Sequence, residues 1–483
     1  MKKILILLTA VVATSCSDNL ENLNQNIKDP TAVPGESLFT GAQKNLVDQV
    51  VDLNVNLNNT KLWAQYLQET QYTDESNYDQ VSRTIPQSHW DAMYKDVLKD
   101  LNTSAEVIAE TEYALPSDAA TKANKLVVVE VMKIYAYSNL VEVFGDVPYT
   151  EAGDIENLLP KYDDGLTIYK DLIERLTIAI DAFDTSNGSF GSADRLYSGD
   201  VSMWKKFASS LKLRMGILLS DVDNSYAEAT VIEAIASGVF TSNEDNATYA
   251  YLSADPNTNP IYDNLVLSGR TDFVAATTII DHMNTLNDPR RPLYFEPTAD
   301  GTFKGGEIGA ESSYATYSHV AARLETPTEP GVLLDYAEVS FLQAEAIARN
   351  FAIAGTAKQF YEEGIRASVA YWGGASADAD TYIAQTSVDY DAALAASSAT
   401  EPWKEVIGTQ KWIALYNRGL EGWTSIRLLD YPLMAVPVDK VSGYPARYTY
   451  PIQEQTLNGA NYEAASTAIG GDAAETKLFW DLN

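Results

Sequence analysis

The sequence predicts a mostly α-helical fold, on three observations. Long stretches repeat apolar residues three and four apart. Several of these stretches open on capping residues, such as Ser117 before Ala-Ala-Thr-Lys-Ala. One pair of stretches alternates small and bulky residues in the manner of a tetratricopeptide helix pair.

In chain order the helical stretches are LVDQVVDLNVNL (46–57), WDAMYKDVLKDLNTSAEVIAE (90–110), TKANKLVVVEVMKIYAYSNLVEVF (121–144) and LTIYKDLIERLTIAIDAF (166–183). They continue with WKKFASSLKLRMGILLSDV (204–222), ATTIIDHMNTL (276–286), LDYAEVSFLQAEAIARNF (334–351), TAKQFYEEGIRASVAYW (356–372) and WKEVIGTQKWIALYNRGLEGW (403–423). In the second, Trp90, Met93, Tyr94, Val97, Leu98 and Leu101 share one face. The repeat-like pair is 334–351 with 356–372. Phe341 and Ala344 on its first helix face Ala357, Tyr361 and Gly364 on the second, a pattern for close approach at small residues with an aromatic filling the gap. Any antiparallel helix pair would share part of that pattern.

Long aperiodic stretches rich in Gly, Pro, Asn, Asp and Tyr separate the helices, at 72–88, 145–164, 184–200, 238–270, 288–333 and 430–452. Loops of this length are functional or disordered, and the aromatic residues in them favour order and function. No Pro/Ser-rich linker interrupts the chain after residue 35, so residues 36–483 read as a single domain.

The start of the chain reads differently. Lys2 and Lys3, an apolar run Ile4 to Ala13 broken only by Thr9, and the small residues Ala13, Thr14 and Ser15 have the layout of a secretory signal over residues 1–15. Cys16 follows at once and is the one cysteine of 483 residues. A thiol in a secreted chain with no partner for a disulfide reads as a lipid attachment site; an ordinary signal peptide with a stray cysteine at the cut is the plainer alternative. Residues 16–35, polar and Asn-rich, read as a flexible tether. Stable anchoring needs more than one acyl chain, which a bacterial lipoprotein cysteine supplies. No other run is long and apolar enough to suggest a membrane span.

Composition excludes some functions. The formal net charge of −33, more acidic still without Lys2 and Lys3, argues against nucleic acid as a partner. A hydrophobic content of 46% with 21% charged residues belongs to a chain with a core, not a disordered one. No glycine-rich dinucleotide fingerprint, P-loop or Gly-x-Ser-x-Gly elbow occurs, and His89, His282 and His319 are far apart with no HExxH context. The stretch DVDNS at 221–225 lacks the Gly and Glu of a calcium loop, with Tyr226 and Ile232 at those positions. Catalytic residues, metal and cofactor are therefore all expected to be absent, although 67 acidic residues leave a carboxylate pair for glycoside hydrolysis conceivable.

The most distinctive text lies toward the C-terminus: TQKWIALYNRGLEGWTSIR (409–427), YPARYTYPIQEQTLN (444–458) and TKLFWD (476–481). Upstream stand VPGESLFTGAQ (33–43), SLKLRMGILLS (210–220), NDPRRPLYF (287–295) and YAEVSFLQAEA (336–346). Together these resemble the SusD/RagB family of outer-membrane nutrient-binding lipoproteins, and more narrowly a SusD-like branch opening on an Asn-rich tether and a VPxxLFxxAQ stretch. One departure is that Arg427 is followed by Leu428, where this branch often holds a second arginine. Physically, Arg447 is expected to pair with Glu454, Asn458 to satisfy loop backbone groups, Asp288 and Arg290 to brace a helix end, and Trp412, Trp423 and Trp480 to lie in the core. The resemblance implies four tetratricopeptide-like helix pairs with long loops on one side. It also implies a surface-exposed, lipid-anchored protein of the outer membrane that caps a SusC-like TonB-dependent transporter and delivers an oligosaccharide or peptide nutrient to it. A glycoside hydrolase lipoprotein and a protein-binding scaffold or adhesin are the alternatives.

A glycan binder presents aromatic rings to the C–H faces of sugars and amides or acids to their hydroxyls. Residues 59–78, NTKLWAQYLQETQYTDESNY, interleave Trp63, Tyr66, Tyr72 and Tyr78 with Gln65, Gln71, Asp74 and Asn77. Trp63 and Tyr66 share a helical face and would equally serve a core; Tyr72 and Tyr78 lie beyond the helical pattern. Tyr314 and Tyr317 in SSYATYSHV, and Trp372 before Gly373–Gly374, complete the expected ligand-binding set. The acidic chain favours a neutral glycan or peptide over an anionic polysaccharide.

Overall fold

A computed structural model describes residues 33–112 and 115–482. The expected signal peptide, Cys16 and most of the tether lie outside the described residues. Helix α1 (Gly35–Val51) buries Phe39, Ala42, Leu46, Val47 and Val50, the three-and-four spacing of an amphipathic face. It ends six residues before the sequence pattern does. Asp52 Oδ1 accepts from the backbone N–H of Leu53 (2.7 Å) and Asn54 (2.8 Å), turning the chain. Lys61 Nζ donates to the carbonyls of Val51 (2.6 Å) and Asp52 (2.9 Å), taking up groups the helix end leaves open. Full burial pulls the Lys61 ammonium down to about 8.

The run 85–110 is helical throughout but not uniform. A π-helical stretch, Ala92–Leu98, joins the short helix Ile85–Asp91 to α2 (Lys99–Glu110). Helix α3 starts at Pro116, so Ser117 falls inside the first turn and does not cap it.

Four consecutive helix pairs form the body. They are α3 (Pro116–Phe144) with α4 (Gly165–Ala182), and α5 (Val201–Leu218) with α6 (Asn224–Ser237). After α7 (Thr277–Thr285) come α8 (Tyr336–Ala348) with α9 (Ala357–Tyr371), and α10 (Pro402–Ala414) with α11 (Gly419–Leu429). Asp164, Asp200, Asp223, Asp335 and Thr356 cap α4, α5, α6, α8 and α9 through side-chain oxygens. The α8–α9 pair makes the close approach its sequence predicts: a Cβ on Gly364 would lie 2.7 Å from the Phe341 ring. Two short helices that the periodicity misses, α12 (Ile452–Leu457) and α13 (Gly459–Ala468), follow near the C-terminus.

Helices dominate the described residues and strands are minor. β1 (Leu67–Glu69) pairs antiparallel with β3 (Phe273–Ala275), Leu67 opposite Ala275. β2 (Ala247–Tyr249) pairs with β4 (Gly331–Leu334). Trp412, Trp423 and Trp480 are fully buried, as expected. Asp288 and Arg290 form a buried ion pair at 2.5 Å behind α7. Asn458 Nδ2 donates to the Pro160 carbonyl (2.8 Å), satisfying a loop backbone group.

Two expectations about arginines change. Arg447 faces Asp472 (3.3 Å), not Glu454. Helix α12 turns Glu454 toward the 145–164 loop, where it accepts from the Tyr162 hydroxyl (2.8 Å). Arg427 needs no arginine beside it: it donates to the carbonyls of Ala446 (2.8 Å) and Glu142 (3.2 Å) and lies between the rings of Trp423 and Trp480. Leu428 is core.

Candidate functional site

Segment 65–84 contains β1 and runs on to the Ile85–Asp91 helix. Gln65, Tyr72, Tyr78 and Thr84 all hold left-handed backbone, with φ of 52°, 56°, 71° and 53°. Non-glycine residues take this conformation at a cost and keep it only where the surroundings enforce it.

Three buried amides do the enforcing. Gln65 binds the backbone of Ala435 in both directions, accepting from its N–H (3.0 Å) and donating to its carbonyl (2.7 Å). Gln68 accepts from the Gly309 N–H (2.9 Å) and donates to the Ala310 carbonyl (3.1 Å). Asn77 donates to the Gly309 carbonyl (2.8 Å) and accepts from the Asp439 N–H (3.0 Å). Gly309, at φ 79°, sits so close that any Cβ there would overlap the Asn77 amide. The amides thus bolt segment 65–84 to segments 308–312 and 435–441. Gln65 and Asn77, expected to meet sugar hydroxyls, are instead spent on loop backbone.

The expected aromatic residues divide sharply. Trp63 is fully buried, edge-on to Trp423 and Tyr448, with Nε1 donating to the Glu75 carbonyl (3.2 Å). Tyr66 is fully buried and its hydroxyl donates to the Trp412 carbonyl (2.7 Å). Trp372 is buried among Tyr294, Tyr416 and the Arg323 guanidinium. These three rings fill gaps between helices and present no free face. Tyr78 is buried edge-on to Tyr444, its hydroxyl held by Gln65 Nε2 (3.2 Å).

Tyr72 is different: 69% exposed, on a braced backbone, next to exposed Gln71 and near exposed Asp74. Tyr314 and Tyr317 are half-buried, and Tyr314 stacks on His319 with centroids 3.6 Å apart. The Ser312 N–H donates to the Thr70 carbonyl (3.0 Å), so Tyr72 and Tyr314 each stand two residues from one shared bond. Their loops meet there; Trp372 belongs to the separate aromatic cluster.

The same segment buries two carboxyls, Glu69 and Glu75. Burial first, and the neighbouring Glu75 charge second, push Glu69 up to about 9, so it keeps its proton at neutral pH. Glu75 is raised too, mainly by burial, and its Oε1 lies 2.5 Å from Arg83 Nε. The Ser76 N–H donates to Glu69 Oε2 (2.9 Å). Both carboxyls are buried, Glu69 held by the Ser76 N–H and Glu75 by Arg83. Among the described residues, no group of three His, Cys, Asp or Glu side chains is placed to hold a metal ion.

The 430–452 loop, aperiodic in sequence, carries exposed aliphatic residues that its sequence does not single out. Leu433 and Val436 are 74% and 70% exposed, and Val438 and Val441 are exposed beside them. A cleft of about 470 Å³ opens below, walled by Tyr78, Tyr444, Met434 and Lys440. The only hint in the sequence is a set of aliphatic residues in a Pro- and Gly-containing run with neither helical nor strand period.

Stacked helix pairs thus carry a braced, aromatic-bearing loop face. The sequence model of the SusD-like family, described as starch-binding and associating with the outer membrane, matches residues 25–451. The chain belongs to this family. Among solved structures it is similar to a chitin-binding protein at 25% identity, covering 93% of this chain and 100% of that one, with a TM-score of 0.79. It is likewise similar to a SusD homologue from Bacteroides uniformis at 26% identity, covering 92% and 99%, with a TM-score of 0.79. A chitin-binding SusD homologue from Flavobacterium johnsoniae shares the fold at 22% identity, covering 93% and 99%, with a TM-score of 0.78. No protein of curated function matches the sequence. Among the described residues no helix is long and apolar enough to cross a membrane.

Proposed function

We propose that this protein is a surface lipoprotein that captures an oligosaccharide nutrient at the Tyr72 face and delivers it to a SusC-like TonB-dependent outer-membrane transporter. Residues 1–15 are removed, Cys16 carries the lipid, residues 16–35 are the tether, and 36–483 bind. The observation that carries the reading is Tyr72 itself: a large ring held out to solvent on a loop whose strained backbone is fixed by Gln65, Gln68 and Asn77. An exposed ring on a rigid support loses little freedom when a sugar stacks on it, which is how preorganisation raises affinity. Exposed Gln71 and Asp74 beside it supply hydroxyl partners. Tyr314 and Tyr317 on the adjoining loop extend the face.

The family's description and the chitin-binding relative support a glycan over a peptide. Glu69 and Glu75 are both buried and Glu75 is tied to Arg83, which weighs against assigning hydrolysis to them. A glycan array followed by titration calorimetry tests the reading. Tyr72→Ala is expected to weaken binding about tenfold or more, the loss of one stacked ring at roughly 1.4 kcal/mol per factor of ten. Peptide binding with no glycan binding would overturn the ligand class.

A further inference from the structure

A second cleft, of about 670 Å³, lies on the other side of segment 78–87, against residues 449–472. Tyr78 walls the 470 Å³ cleft, and Gln80, two residues on, walls this one. The two clefts share one strip of chain.

The cleft is firmly built. Gln80 accepts from the Thr449 N–H (2.9 Å) and donates to the Arg447 carbonyl (3.3 Å), locking its two walls together. Asp472 accepts from the Tyr450 N–H (2.9 Å) and the Tyr462 hydroxyl (3.2 Å), and its charge is met by Arg447 behind the wall. The Arg447 guanidinium lies 4.3 Å from the centre of the Tyr450 ring, on the far side of the lining. The lining therefore carries no unbalanced charge from this pair.

Polar capacity is left over. Gln87 lines the cleft, its Nε2 donating to Asp91 (2.8 Å). Thr84, also in the lining, precedes the Ile85–Asp91 helix without capping it, and holds a left-handed backbone that a β-branched residue rarely adopts. Gln453 and Gln455 are exposed amides on α12. Pro86, Pro451 and exposed Ile452 add apolar surface between these amides. Uncharged amides, a free hydroxyl and apolar patches suit a neutral chain rich in hydroxyls, with donors and acceptors at its edges and C–H groups on its faces.

We propose that this cleft is a second binding site for a neutral oligosaccharide, built from residues other than those of the Tyr72 face. The proposal rests on the glycan reading above. Two sites joined by one polymer raise the overall affinity through effective concentration, with no new contact.

The test uses the full chain with neutral hexasaccharides (chitohexaose, maltohexaose, cellohexaose, xylohexaose and mannohexaose), read by titration calorimetry and by hydrogen exchange. The tightest probe is expected to slow exchange in both 70–77 and 449–455. The double variant Gln453→Ala/Gln455→Ala, at exposed positions and with an unchanged thermal midpoint, is expected to weaken binding three- to tenfold and to remove protection at 449–455 alone. Tyr72→Ala should remove protection at 70–77 and leave 449–455 protected. Protection confined to 70–77 with the double variant binding like wild type overturns the second site and leaves the proposed function standing. Protection confined to 449–455 upholds the cleft and overturns the Tyr72 face. Binding of none of the probes at millimolar concentration overturns both.

Discussion

His89 sits between two amides that dictate its protonation. Gln49 Nε2 also donates to the Leu57 carbonyl (3.0 Å), which fixes it as the donor toward His89 Nδ1 (3.0 Å). The ring therefore carries its proton on Nε2 and donates to Asn139 Oδ1 (2.7 Å). Full burial lowers its pKa to about 4. A base whose folded pKa lies below the unfolded value contributes stability above about pH 6.5 that is lost as pH falls toward 4, about 3 kcal/mol over the window. In an NMR titration the His89 ring signals should stay constant down to pH 5; a midpoint near 6.5 would contradict the burial argument. Glu69 has the opposite sign. Its raised pKa means folding takes up a proton above pH 4.5, so stability falls as pH rises toward 9. Glu69→Gln, which keeps an acceptor for the Ser76 N–H without needing that proton, should raise the thermal midpoint at pH 8 and have little effect at pH 4.5. Residue type alone does not separate ring from ring. Trp63, Tyr66, Tyr72 and Tyr78 look alike in sequence, and only the packing of Trp423, Trp412 and Tyr444 around three of them singles out Tyr72. Trp63→Ala should therefore cost about 3–5 kcal/mol of stability, against less than about 0.5 for Tyr72→Ala, in paired denaturant titrations.

At the level of elements, local patterns are legible in the sequence and non-local ones are not. The α8–α9 pair is readable because Gly364 and Phe341 meet within one helix hairpin. Proximity along the chain points Arg447 to Glu454, seven residues on, because the true partner Asp472 lies beyond two helices that leave no periodic signal. Those helices are short and largely exposed, so they lack the apolar face that betrays a helix. The loop clamp is equally non-local: Asn77 reaches residues more than two hundred positions away. Asn77→Ala leaves the Gly309 carbonyl and the Asp439 N–H without their partner, a loss of about 1–3 kcal/mol. Hydrogen exchange should speed up at 308–312 and 436–441 and leave α8–α9 unchanged. Equal acceleration throughout would mean the clamp holds the whole fold and not the face.

For the whole molecule, family membership follows from a match over residues 25–451, and the ordered C-terminal motifs make it readable from the amino-acid sequence alone. The large residues of those motifs are packed. Trp412, Trp423, Arg427, Arg447 and Trp480 are all buried, and none contributes to the Tyr72 face. These buried residues therefore speak for the scaffold, while exposed Tyr72 lies outside the motifs. The central claim is that this face captures glycan. Titration calorimetry of wild type and Tyr72→Ala against the tightest neutral hexasaccharide tests it most directly. If glycan stacks on Tyr72, the variant binds at least tenfold more weakly with an unchanged thermal midpoint; equal affinity of the two proteins would contradict that.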